Sequence, residues 1–236
     1  VPTPGAIRSD ASGYYDGETA QLTWGSVKYA AYNVTVTHNG TTVIQETVNS
    51  NSYQLHNLKP GNYQITVTAQ SGDTVSGAVS HSFQVSELHK ITYDGRGGTN
   101  VPDTQEKLHG KEVKLSDTTP IREGYRFLGW NQDPQATYGL YMPGSTWKED
   151  KDVTLYAVWR SGDAAPTSLS ILSPAAKRTY IVGDALDTTG LKLLLVYSDG
   201  SADLVTQGFE VSGFSSESEA DVTVTVTYQG FSTAYT

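Results

Sequence analysis

Through most of the chain apolar and polar residues alternate one by one, and a period of two selects strands over helices. Ala20, Leu22 and Trp24 share one face while Gln21 and Thr23 share the other. Tyr32, Val34 and Val36 alternate with Asn33, Thr35 and Thr37, and Tyr63, Ile65, Val67 and Ala69 alternate with Gln64, Thr66 and Thr68. Phe83 and Val85 close this first run, and His38-Asn39-Gly40-Thr41 carries the signature of a hairpin turn. Strands with one apolar and one polar face, at this spacing, predict an antiparallel sandwich over residues 1–88. The hydrophobic share of 37% suffices for packed cores, and helix-favouring runs are almost absent. The expected fold class is mostly β, as three small domains in tandem.

Charge marks the domain borders. Residues 1–88 hold 3 basic and 6 acidic residues, 89–160 hold 10 and 10, and 161–236 hold 3 and 9. The net charge of −9 removes the counterion-release driving force that nucleic-acid binding needs, and disfavours anionic lipid surfaces. The longest apolar run, Leu191 to Tyr197, contains Lys192 and falls far short of the ~20 residues of a membrane span. No nucleic acid and no membrane insertion are therefore expected. With no cysteine, disulfides, thiolate nucleophiles and cysteine-based zinc sites are excluded. The Val1-Pro-Thr-Pro start reads as a linker, so other domains of a longer polypeptide are the expected neighbours.

In the first unit, Leu22-Thr-Trp24 and Leu58-Lys-Pro-Gly-Asn-Tyr63 resemble the early strand and corner tyrosine of the fibronectin type III family. In the middle unit, Ile91-Thr-Tyr-Asp-Gly-Arg-Gly-Gly98 leads through Arg122-Glu-Gly-Tyr-Arg-Phe-Leu-Gly-Trp130 to Leu155-Tyr-Ala-Val-Trp159. That order resembles the Listeria–Bacteroides repeat, the B-repeat of internalin-type proteins. The resemblance implies a β-grasp-like module over 89–160 in a bacterial extracellular protein. In the third unit, Tyr180 to Gly183, Leu186, Gly190-Leu191 and Tyr197-Ser-Asp-Gly-Ser201 resemble a bacterial immunoglobulin-like domain over 161–236. Asp199-Gly200 reads there as a two-residue hairpin turn. One further strand of that family finds no room after Tyr235, so a cut at the C-terminus is expected.

A unit of about 70 residues without disulfide or metal needs large apolar anchors. Tyr125, Phe127, Trp130, Tyr156 and Trp159 are expected to supply them. Strict alternation would put Tyr125 and Phe127 on one face and Leu128 and Trp130 on the other. Either both faces are covered or one is an aromatic platform.

No cluster demands catalysis, and no catalytic residue or cofactor is assigned. Asp94-Gly-Arg-Gly-Gly-Thr-Asn100 lacks the spacing and following helix of a phosphate loop and reads as a turn. Histidines 38, 56, 81, 89 and 109 lie scattered, and no metal site is expected among them. Asp184 with Asp187, or Asp199 with Asp203, offer oxygen ligands but read as ordinary turn residues. Asn33-Val-Thr and Asn39-Gly-Thr are glycosylation sequons that carry no weight in a bacterial protein. Within Ala136–Trp147, Tyr138 and Trp147 fall outside the family pattern, and loop aromatics of this kind can stack on a glycan or protein ligand. The functional expectation is a non-catalytic, secreted or wall-attached segment acting as stalk, spacer or adhesion module. Its alternative is an accessory region of a large secreted polysaccharide-degrading enzyme.

Overall fold

The computed structural model describes residues 1–236, folded as 20 strands with no helix. The chain groups into two compact units. Unit 1 comprises 1–89, 106–112 and 148–151; unit 2 comprises 90–105, 113–147 and 152–236.

In unit 1, β1 (Arg8–Ser9), β3 (Ala20–Thr23) and β6 (Ser52–Leu55) form one sheet in the order β1-β3-β6. A second sheet contains β2 (Tyr14–Tyr15), β4 (Ala31–His38), β5 (Thr41–Val48), β7 (Gly61–Ser71) and β8 (Thr74–Ser86), in the order β2-β8-β7-β4-β5. The residues that alternation turns inward, among them Leu22, Trp24, Val34, Val36, Ile65 and Val67, meet in a single core. Tyr63 closes the corner that the sequence suggested, its hydroxyl accepting from the Lys59 amide at 3.1 Å.

Tyr14 links core to surface by donating to Asp10 Oδ1 at 2.6 Å. Burial, reinforced by that hydrogen bond to Asp10, pushes the Tyr14 phenol up to about 12. Burial and a hydrogen bond to Glu46 do the same at Tyr53, also to about 12. Both folded values exceed the ordinary 10.0, so their stabilisation is intact below pH 10 and is lost as pH rises through about 12. Tyrosinate absorbance should show at least these two phenols ionising late, and unfolding stability should fall above pH 10. Normal titration of all 15 tyrosines would contradict this.

The repeat region contains β9 (Leu88–Asp94), β10 (Gln105–Leu108), β11 (Val113–Lys114), β12 (Tyr125–Asn131), β13 (Thr146–Trp147) and β14 (Val153–Ser161). Its main sheet runs β10-β9-β14-β12, with β9 and β14 parallel at the centre, while β11 and β13 form a two-stranded ribbon. Parallel neighbours need a long crossover. Here that connection includes no helix.

The alternation expected in β12 is broken. Phe127 pairs with Trp159, but Gly129 pairs with Val158, so one extra residue bulges between them. Gly129 takes a φ of +126°, and a Cβ there would meet the Tyr141 carbonyl oxygen at 3.0 Å. The bulge turns Phe127 and Trp130 to the same side, where their rings meet edge to face at 5.1 Å. Trp130 is fully buried and also contacts Tyr93 at 4.9 Å. Phe127 and Trp159 pack half-buried against this core. Two of the expected anchors depart from that role: Tyr156 lies half-buried outside this core, and Tyr125 is the more exposed. At the strand's start it is 42% exposed and lies beneath the Arg122 guanidinium, 3.8 Å from its ring centroid.

The third region pairs β15 (Pro166–Ser173), β16 (Lys192–Tyr197) and β17 (Ala202–Val205) in one sheet. A second sheet holds β18 (Glu210–Ser212), β19 (Val224–Tyr228) and β20 (Phe231–Tyr235). Leu193, Leu195 and Val226 lie at the shared core. The turn between β16 and β17 differs from the expected two-residue form. Tyr197 and Ser201 close it through a 2.8 Å amide–carbonyl bond, leaving three loop residues, and Gly200 takes the left-handed position at φ +83°. Asp199 keeps an ordinary φ, since in a three-residue loop only the last position, Gly200, is left-handed.

Candidate functional site

Polar groups of unit 2 converge where the end of β14 meets the β16–β17 hairpin. Along β14, Leu155, Ala157 and Trp159 face the repeat core, which leaves Val158 and Arg160 on the other face. Both are nevertheless buried. The two-faced arrangement left open by the sequence therefore resolves, over this stretch, to coverage on both sides.

Arg160 keeps only 7% of its side chain exposed. Its Nη1 donates to Asp203 Oδ2 at 2.7 Å, and its guanidinium lies 3.8 Å above the Tyr197 ring. The Tyr197 hydroxyl donates to the same Asp203 oxygen at 2.8 Å. Burial, then that bond to Asp203, pushes the Tyr197 phenol up. One residue on, the Ser161 amide donates to Asp199 Oδ2 at 2.7 Å, while Asp199 Oδ1 accepts from the Ser201 amide and hydroxyl. Burial alone would raise the Asp199 carboxyl, but these donors outweigh it and hold it below the usual range. A backbone bond from Ala202 to the Thr137 carbonyl, 2.7 Å, completes the joint. A cation clamped between a carboxylate and an aromatic face fixes geometry, and the last strand of one module is thereby fastened to the first hairpin of the next.

Asp199 and Asp203, read from sequence as turn carboxylates, are thus both committed to this joint. Asp184 and Asp187 are likewise engaged by protein donors, Asp184 by Lys177 Nζ at 2.7 Å and Asp187 by the Thr189 amide at 2.8 Å. The glycine turn after β9 has a packing role: the Gly95 carbonyl accepts from Trp159 Nε1 at 3.0 Å, and a Cβ at Gly98 would lie 2.6 Å from that indole.

The two residues singled out for ligand contact fare differently. Trp147 is a correction. It is 1% exposed, pairs through β13 with Val113, and meets the Tyr141 ring edge to face at 5.2 Å, so its faces are spent on the core. Tyr138 is half-buried in the loop after β12, where its carbonyl accepts from Asn131 Nδ2 at 3.0 Å. The structure does not bring the two together as a surface pair.

Among the histidines, His38 stacks on Tyr63, His56 meets Thr19, and His81 meets Ser9. His89 and His109, far apart in sequence, are brought together in unit 1 at 3.2 Å. Sequence reading missed this pair and the Arg160 clamp. A basic residue at an inward or sheltered strand position was the one available signal for the clamp.

Several known proteins resemble parts of the chain. A protein of Evansella cellulosilytica named a Gly-rich membrane protein is 33% identical over 75 residues, 30% of this chain and 9% of that protein. A second membrane protein of the same organism is 29% identical over 100 residues, 39% of this chain and 15% of its own length. Pectate lyase L of Thermoclostridium stercorarium is 38% identical over 74 residues, 31% of this chain and 6% of the lyase. The chain thus spans a small part of each relative. Among solved structures, the fibronectin(III)-like modules of Clostridium thermocellum CbhA align over 84% of this chain and 88% of theirs at 10% identity. Their TM-score of 0.23 is too low to bear on the fold. Residues 89–158 match the family model of the Listeria–Bacteroides repeat domain, and residues 173–236 match that of the bacterial Ig-like domain (group 3).

Proposed function

We propose that this chain is a non-catalytic spacer from a bacterial extracellular surface protein, of the kind that carries internalin-type repeats. In it a sandwich, a repeat module and an immunoglobulin-like module present other parts of a longer polypeptide. The observation that carries this reading is the Arg160 clamp. A free linker would let the modules turn independently, whereas a buried, hydrogen-bonded cation leaves the repeat and immunoglobulin-like modules one orientation. Both modules are of non-catalytic types common in extracellular proteins. Scanning calorimetry on the full chain tests the idea. Residues of the repeat and of the immunoglobulin-like module, followed by site-specific probes, should lose structure in one shared transition. Separate melting of the two modules would overturn the proposal.

The similarity to pectate lyase L favours a second reading, an accessory region of a large secreted polysaccharide-degrading enzyme. With Trp147 in the core, Tyr138 is the loop aromatic left for a sugar. A glycan screen in which the wild-type chain binds and Tyr138→Ala does not would support that reading; binding by neither would end it.

A further inference from the structure

Two imidazoles and a carboxylate converge in unit 1. Glu87 stands between β8 and β9, His89 is the second residue of β9, and His109 follows β10. His89 occupies a position that the alternation of β9 turns inward, and it is buried. Its Nε2 lies 3.2 Å from His109 Nδ1 and 3.8 Å from Glu87 Oε2, and the three ligand atoms all fall within 4.8 Å of one another.

We propose that Glu87, His89 and His109 form a binding site for a divalent transition ion, Zn²⁺ foremost. With metal–nitrogen and metal–oxygen bonds of about 2.0–2.2 Å, the edges of a tetrahedron are roughly 3.3–3.6 Å. The observed 3.2 and 3.8 Å straddle that range, and the third separation, no more than 4.8 Å, closes by rotation of the exposed Glu87 and His109 side chains. The donor set of two nitrogens and one carboxylate suits Zn²⁺, Ni²⁺ and Cu²⁺ alike, and the near-tetrahedral edges favour Zn²⁺, while Ca²⁺ and Mg²⁺ need six or more oxygens. Three protein ligands leave a fourth position for water.

A second group supports the assignment. Asp150 Oδ2 lies 3.9 Å from His109 Nε2, the ring nitrogen turned away from His89. The Gly110 amide, at 2.9 Å from Oδ1, and the buried Lys107 ammonium hold that carboxylate in place. At that separation the carboxylate does not hydrogen-bond the ring, but its fixed negative charge raises the basicity of the imidazole and makes its other nitrogen a better ligand. Bound there, the ion would fasten residues 87–89 to the turn at 109 and stabilise unit 1 by mass action.

The test is titration calorimetry and thermal unfolding of the untagged, chelator-stripped chain with Zn²⁺, and with Ca²⁺ as comparison. One Zn²⁺ per chain should bind and raise the unfolding temperature, with Ca²⁺ inert. His109→Ala should weaken Zn²⁺ on the order of 100-fold and Glu87→Gln about tenfold, while His56→Ala changes nothing. His109 and Glu87 keep 49% and 61% of their side chains exposed, so both variants should fold, which circular dichroism checks. Absence of one-to-one Zn²⁺ binding, or equal binding by folded wild-type chain, His109→Ala and Glu87→Gln, would overturn the assignment.

Discussion

Replacing Trp130 with alanine is expected to destabilise unit 2 by about 3–5 kcal/mol, the cost of a large cavity in a core that cannot collapse around it. Trp130 is fully buried, and its ring is held edge to face by both Tyr93 and Phe127. Its backbone also accepts from and donates to the 140–141 turn, so the side chain anchors the strand and the loop that returns to it. The indole nitrogen finds no acceptor. An unmet buried donor opposes folding, so Trp130→Phe removes a penalty along with part of the ring and should cost less than half as much as alanine. Urea unfolding followed by near-ultraviolet circular dichroism separates the cases. Equal costs for the two variants would show that the ring's volume is not what the core depends on.

The strands of the first sandwich were legible because each side chain there answers to one local rule. Leu22, Val34, Ile65 and Val67 lie inside where a period of two places them. In β12 the same rule misplaced Trp130 relative to Phe127, since a bulge at Leu128–Gly129 shifts the period by one. The Gly129 needed for that bulge reads equally well as an ordinary strand or turn glycine. Trp147 looked free because its loop has no pattern of its own; its burial comes from the two-residue pairing of β13 with β11, too short to leave a periodic trace. Arg160 with Asp203, and His89 with His109, are separated by 43 and 20 residues, and only the fold brings each pair together. Alternation fixes which face a residue takes. It does not say what covers that face.

Breaking the Arg160 clamp is the second large effect expected. Arg160→Met keeps an apolar stem for Tyr197 but leaves Asp203 without its cation, and Asp203→Leu leaves a sheltered guanidinium without its carboxylate. Removing one partner of a buried pair costs about 3–5 kcal/mol. Asp203 keeps 36% of its side chain in water, which screens the pair, so about 2–3 kcal/mol is expected for each single change. Arg160→Met with Asp203→Leu removes both charges together and should cost clearly less than the sum, by about 1–3 kcal/mol in a double-mutant cycle. The single variants should also split the shared calorimetric transition, because the module joint loses its charge-assisted bond while each core stays intact. Strict additivity, to within about 0.5 kcal/mol, would mean that Arg160 and Asp203 do not act as a pair. The spacer would then owe its rigidity to the backbone bonds around Ser161 and Ala202 alone.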